Sequence, residues 1–290
     1  MKFSKILGMT AAFVIGGSGI AAAQAPGQAP ANLDTKKFNV VGTWNFLNMN
    51  KMVEAPFWNE QLGKDSGGKL TGNLKSITEL NLKGTEVLRL LKTGIYDVAH
   101  ALPIYVDDGG AVIEASDLSG VASSIAQQRE ILNAWMPEMQ KVMRERFGAQ
   151  IVGTFAFPQQ VFFCRDEISS LADLKGKKVR VQGVSQSDLV KALGASSVTI
   201  PFGEVVPALE KGVVDCGITG TLPGFQAKWP EVVKTVVDVS LGYTDADRAA
   251  VKKALNDTVL PEWAKRCGAE CAAKWTDMVG KKYGLTAKAN

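Results

Sequence analysis

At 290 residues the chain exceeds one typical domain and can bury two modest cores. Its formal charge of +4 falls to +2 once Lys2 and Lys5 are set aside, and acids and bases alternate elsewhere, so nothing is built for nucleic acid or another polyanion. No apolar run reaches the roughly 20 residues that a membrane span requires.

The first residues have the order of parts of a secretory signal peptide: Lys2 and Lys5, an apolar stretch from Ile6 to Ile20 broken by glycines, then Ala21-Ala22-Ala23. Cleavage after about Ala23 is expected, followed by a flexible lead-in over 24–35 rich in Ala, Pro and Gln. An exported protein in an oxidising compartment such as a periplasm is the reading that follows.

Phe38 to Thr43 reads as the first strand and Met49 to Lys64 as the helix after it. Lys69 to Leu74 and Ile95 to Ala99 read as further strands. A helix is expected over Ser124 to Arg146, with Ile131, Leu132, Trp135, Met139, Val142 and Met143 at helical spacing and Pro137 as a kink or a fresh start. Gln150 to Arg165 is an extended run through Pro158. Ser197 to Ile200 and Val213 to Ile218 are strands, and Thr244 with Asp247 makes a capping box for a final helix that turns Val251, Leu255 and Val259 inward.

An internal repeat sets the architecture. Glu86-Val87, Leu91, Gly94 and Asp97 recur 118 residues later as Glu204-Val205, Leu209, Gly212 and Asp215. Each copy is a short amphipathic helix stopped by glycine and followed by a buried strand, and each is preceded by another strand. Strand, helix, strand repeated twice is the pattern of parallel sheets, and the separation implies two similar α/β lobes. Lobe I is expected over 36–153 and lobe II over 154–234, with a crossing strand and C-terminal helices over 235–290. Ligands of such sheets collect beyond the carboxyl ends of the strands, which directs attention to the loops His100–Tyr105 and Thr219–Gly224.

Four cysteines in an exported chain read first as disulfides, and of the three possible pairings Cys267-Cys271 with Cys164-Cys216 is favoured because Gly268 can turn the backbone between the first pair. The C-x3-C spacing and a single histidine, His100, argue against zinc, and no cofactor is called for. The same lone imidazole, placed directly after a buried strand, argues against a secreted hydrolase or oxidoreductase, which needs a nucleophile, a base and an orienting group.

The block Ser170-Leu171-Ala172-Asp173-Leu174-Lys175-Gly176-Lys177-Lys178-Val179-Arg180-Val181 resembles a signature of the receptors of tripartite ATP-independent periplasmic (TRAP) transporters, the family named after its C4-dicarboxylate receptors. So do Leu193-Gly194-Ala195, Ile200-Pro201-Phe202-Gly203-Glu204-Val205 and Gly212-Val213-Val214-Asp215, and in the first half Ser66-Gly67-Gly68-Lys69 and Gly84-Thr85-Glu86-Val87. The resemblance runs from about Phe38 to Leu241. It implies a periplasmic-binding-protein type of fold with a cleft between the lobes, a small organic acid as ligand, and a small and a large integral membrane subunit as partners.

Arg180 falls on the family's carboxylate-binding arginine, and the chemistry stands independently: a guanidinium is a permanently charged planar fork that grips a carboxylate bidentately. By the same resemblance Phe202 packs on the ligand and Thr219 faces it; Trp44 and Tyr105 are candidates for the first-lobe wall. Gln159 and Gln160 stand where some relatives carry a second basic residue, and of the two Gln159 is the substrate-binding candidate. With one cation and the apolar loop Ala101-Leu102-Pro103-Ile104-Tyr105, a monocarboxylate with a hydrophobic or hydroxylated body is expected, since a second buried carboxylate needs its own partner. The chain passes from Leu241-Gly242 almost directly into Tyr243-Thr244-Asp245, leaving no residues for the further strand and long interlobe helix that the family implies. Binding proteins of ATP-driven importers share the same logic and differ in their membrane partner.

Overall fold

The computed structural model describes residues 32–106, 110–238 and 244–289. The expected signal peptide, most of the expected lead-in and the Leu241-Gly242 junction lie outside the described residues.

The chain opens with β1 (Lys36–Gly42) and a helical run in which wide π-type turns at Met49–Glu54 and Phe57–Gln61 lead into α1 (Leu62–Asp65). Then come β2 (Leu70–Ser76), α2 (Val87–Lys92) and β3 (Val98–Ala99). These strands form one sheet in the order β2-β1-β3, all parallel, with Val40 opposite both Leu74 and Val98. The expected strand over 95–99 is shorter than its pattern, because Ile95 stays exposed and only Val98 and Ala99 reach the ladder.

Next are α3 (Gly110–Glu114) and α4 (Ile125–Phe147). Pro137 neither ends nor restarts α4: a proline removes one backbone hydrogen bond, but Ile131, Trp135, Met139, Val142 and Met143 are buried on both sides of it and hold the helix together. Ser124 accepts from the Gln127 amide at its start, and Gly148 ends it in the left-handed conformation.

The second sheet contains β4 (Gln160–Cys164), β5 (Lys178–Val181), β6 (Ser196–Thr199), β7 (Cys216–Gly220) and β8 (Thr235–Asp238), in the order β6-β5-β7-β4-β8. β5 is parallel to β6 and β7, whereas β4 is antiparallel to β7 and β8. Its helices are α5 (Val184–Ala192), α6 (Val205–Glu210) and α7 (Thr221–Gln226); α8 (Asp245–Ala254), α9 (Leu260–Cys267) and α10 (Ala269–Met278) follow. Of the extended run over 150–165, only Gln160–Cys164 pairs in the sheet.

The repeat is structural. Gly94 and Gly212 both take positive φ, 73° and 67°, after α2 and α6. Each repeat aspartate then clamps a residue of the neighbouring strand in the same two-way fashion. The Asn39 amide donates to the Asp97 carboxylate at 2.9 Å while the Asp97 amide donates to the Asn39 carbonyl. The Lys178 amide donates to Asp215 at 2.8 Å while the Asp215 amide donates to the Lys178 carbonyl.

Alternation along β4 builds two cores from one strand. Phe162 and Cys164 join a core with α4, α9 and α10, while Val161 and Phe163 join Trp44, Leu47, Phe202 and Trp229 where the two sheets' loops meet. Three buried tryptophans fix α3: the indoles of Trp135, Trp263 and Trp275 donate to the carbonyls of Val112, Ala111 and Ala115. The capping box of Thr244 and Asp247 forms as expected, and Asp247 also accepts from the Leu171 amide at 2.7 Å. Val251, Leu255 and Val259 are buried, along a helix that runs on into α9.

Candidate functional site

The carboxyl ends of the strands of both sheets converge on one cavity of about 30 Å³. From the first sheet, the turn after β1 supplies Trp44 and Leu47, and the turn after β3 supplies Leu102 and Tyr105. From the second, Gln182 follows β5, Phe202 follows β6, and Thr219, Gly220 and Pro223 come from the end of β7 and the start of α7. Because β4 runs the other way, its first residue Gln160 and the preceding Phe157 reach the same place. Trp44 meets Tyr105 and Phe202 edge-on at 6.2 Å and 5.3 Å, so aromatic walls from the two lobes touch.

None of the lining side chains is charged. Arg180 stands behind them, fully buried on β5. Its Nε donates to the Ile200 carbonyl and its Nη1 to the Ile218 carbonyl, each at 2.8 Å, while Nη2 makes no hydrogen bond of normal geometry and the Tyr105 phenol is the polar group nearest in effect to the guanidinium. The guanidinium carbon lies 6.0 Å from the Phe202 ring centre and 5.7 Å from that of Trp229. Burial lowers the guanidinium's affinity for its proton and raises the pKa of the nearby Tyr105 phenol; in each case the other partner opposes the shift. No carboxylate among the described residues acts on Arg180. A buried cation without a counter-charge is costly to fold around, and an incoming anion relieves that cost.

The structure brings Trp44, Tyr105, Phe202 and Thr219 together around the cavity, with Arg180 beside it rather than in its wall. Gln159 is not among them. It is exposed, its carbonyl accepts from the Thr221 amide, and strand alternation gives the inward position to Gln160. Gln182, two residues beyond Arg180, donates to Gln160 Oε1 at 3.0 Å and to the Ile218 carbonyl at 3.2 Å. The period of two along β5 would have found Gln182. Trp229 carries no comparable signal, because it reaches Arg180 from a turn distant in sequence.

His100 is outside the cavity lining. Its Nε2 accepts from the Trp58 indole at 3.0 Å, which assigns the proton to Nδ1, 3.3 Å from Glu54 Oε1. Glu54 Oε2 accepts from the Thr43 amide and from Asn50. Glu54 thus anchors the turn that presents Trp44 through the Thr43 amide, with the lone imidazole packed beside it. Across the β4–β7 ladder Cys164 stands opposite Cys216, and Cys267 lies against Cys271 around Gly268, the pairings favoured from the sequence.

Residues 47–261 match the family model described as bacterial extracellular solute-binding protein, family 7. The chain belongs to that family. It is thus a solute-binding protein and not an enzyme. Solved structures similar to it include DctP7 of Bordetella pertussis, an extracytoplasmic solute receptor binding pyroglutamic acid, at 20% identity over 88% of each chain and a TM-score of 0.64. A TRAP periplasmic solute-binding protein of Desulfovibrio salexigens with bound orotic acid is 15% identical over 86% of this chain and 98% of its own, with a TM-score of 0.71. A TRAP solute-binding protein of Rhodoferax ferrireducens T118 in complex with copurified benzoate is 18% identical over 86% and 83%, with a TM-score of 0.62. At these identities the likeness is one of fold: the two-lobed α/β architecture of periplasmic binding proteins.

Proposed function

We propose that this family 7 receptor works in the periplasm, closing its lobes over a small organic acid and delivering it to the membrane subunits of a TRAP-type transporter. The observation that carries the reading is Arg180: a fully buried guanidinium, held by two backbone carbonyls, with one amino group making no hydrogen bond of normal geometry and no carboxylate partner among the described residues. The two carbonyls fix the plane of the fork, so the guest's carboxylate meets an oriented donor rather than a mobile charge.

The remaining walls define the guest's body. Aromatic rings from both lobes favour a flat or apolar skeleton, and the amides of Gln160 and Gln182 suit one hydroxyl or amide group on it. A single nearby cation favours one carboxylate over two. The similar receptors' acids, pyroglutamic acid, orotic acid and benzoate, have this character. A cavity of about 30 Å³ holds little more than a water, so entry requires the lobes to part and Tyr105 to yield beside Arg180.

Native mass spectrometry of the mature protein purified from a periplasm should reveal a bound acid of low mass. Arg180→Ala should emerge without it and show no thermal shift with the same acid, against about 2.7 kcal/mol for the wild type at 100 times its dissociation constant. A neutral or cationic guest, or an acid still held by Arg180→Ala, would sink the reading.

A further inference from the structure

The lobes meet closely at a point on the rim of the cavity. Gly183 leads from β5 into α5, and the turn Pro103–Tyr105 from the opposite lobe rests on it. A methyl group built on Gly183 would lie 2.7 Å from the Ile104 carbonyl oxygen and closer still to Ile104 Cγ1. Neither atom is the free end of a flexible side chain. The backbone of Gly183, at φ −160° and ψ −171°, is extended and open to alanine, and the three atoms nearest an added Cβ all belong to Ile104 of the facing lobe.

Behind the turn, the Tyr105 ring lies against Gly84, where an added Cβ would stand 2.9 Å and 3.0 Å from two ring carbons. Gly84 itself has φ 107°, a conformation that other residues rarely adopt. The turn bearing Ile104 and Tyr105 is therefore seated between a glycine of its own lobe and a glycine of the other. Its neighbours Leu102 and Tyr105, and Gln182 beside Gly183, all line the cavity.

We propose that Gly183 is a positioning residue for lobe closure: the missing side chain at this rim contact sets how far the lobes shut and how deeply Tyr105 seats beside the bound acid. A single Cβ there would act as a wedge, leaving each lobe folded but holding the cavity open. This rests on the reading that the lobes close over a ligand.

Two measurements on the full mature protein test it. In hydrogen–deuterium exchange without ligand, the Tyr105 and Val106 amides, both bonded within the turn, should exchange about tenfold faster in Gly183→Ala than in the wild type, while core amides such as Val179 stay unchanged. Gly153→Ala, at a glycine with nothing within 4 Å of an added Cβ, is the control and should change neither. In calorimetric titration with pyroglutamate and with benzoate, Gly183→Ala should bind about tenfold or more weakly, and Gly183→Val more weakly again. Ile104→Gly in the Gly183→Ala background should restore part of the affinity. If Gly183→Ala fails to fold, Ile104→Phe enlarges the same contact from the other side and is read the same way. Unchanged exchange at Tyr105 and Val106, or wild-type affinity in Gly183→Ala, overturns the proposal. Failure of the wild type to bind either acid counts against the organic-acid reading, and the exchange result alone then decides the role of Gly183.

Discussion

Arg180 performs its role through geometry as much as charge. Two of its five N–H donors are committed to the carbonyls of Ile200 and Ile218, which fixes the plane in which the others are presented. Lysine keeps the charge but cannot span both carbonyls and still present a donor. Arg180→Lys is therefore expected to weaken binding of the native acid by at least about tenfold, measured by calorimetry, since a charge-assisted bidentate contact is worth roughly 1.5–3 kcal/mol. His100 has a different use. Burial pulls its pKa below 6.5, with Glu54 opposing, so the folded state favours the neutral ring. The sign follows: this contribution to stability is complete above about pH 6.5 and is lost as pH falls from there towards the folded-state value. Protonation of Nε2 would also remove the acceptor that Trp58 uses. Between about pH 7.5 and about pH 5 the melting temperature of the wild type should therefore fall more than that of His100→Gln. Equal slopes would show that the imidazole does not titrate in this window.

At the scale of elements, side chains that tie one segment to another matter more than those that only shape their own. Asp247 closes the capping box at the start of α8 and also satisfies the Leu171 amide from a distant turn. Asp247→Ala strips the cap and orphans a buried amide, which together should cost about 2–3 kcal/mol in urea denaturation. The repeat aspartates Asp97 and Asp215 tie strand to strand in the same way. The lobe II clamp at Lys178 lies only two residues before Arg180, so the strand that carries the guanidinium is pinned close by.

The whole molecule depends on links between segments far apart in the chain. Cys164 and Cys216, 52 residues apart, face each other across the central strands of the second sheet. Replacing both by serine should lower stability by about 2–4 kcal/mol, largely through the freed unfolded chain, and the loss should appear as a lower melting temperature. α4 touches α2 on the first sheet and α10 among the C-terminal helices, while α8 and the turn after it rest on α5 of the second. The three indoles that hold α3 sit inside this block. The two lobes are thus connected through a helical layer as well as at the cavity rim.

The amino-acid sequence alone determined the two α/β units, because a repeat of helix, glycine, strand and aspartate expresses local physics: glycine takes the positive φ that ends the helix, and aspartate bonds the adjacent backbone. That Tyr105 and Thr219 stand in loops beyond strand ends was legible from the same pattern, whereas Arg180 and Phe202 were singled out through the resemblance to the TRAP receptors. What only the tertiary structure decided is which neighbours complete the site. Gln160 replaces Gln159 because the pleat of β4 turns one inward and leaves the other exposed, and a single step of phase is invisible where no alternating pattern marks the strand's start. Trp229 reaches Arg180, and Ile104 rests on Gly183, across stretches of chain that only folding brings together. Contacts of that kind depend on how two sheets are set against each other, and no local pattern of residues encodes that placement.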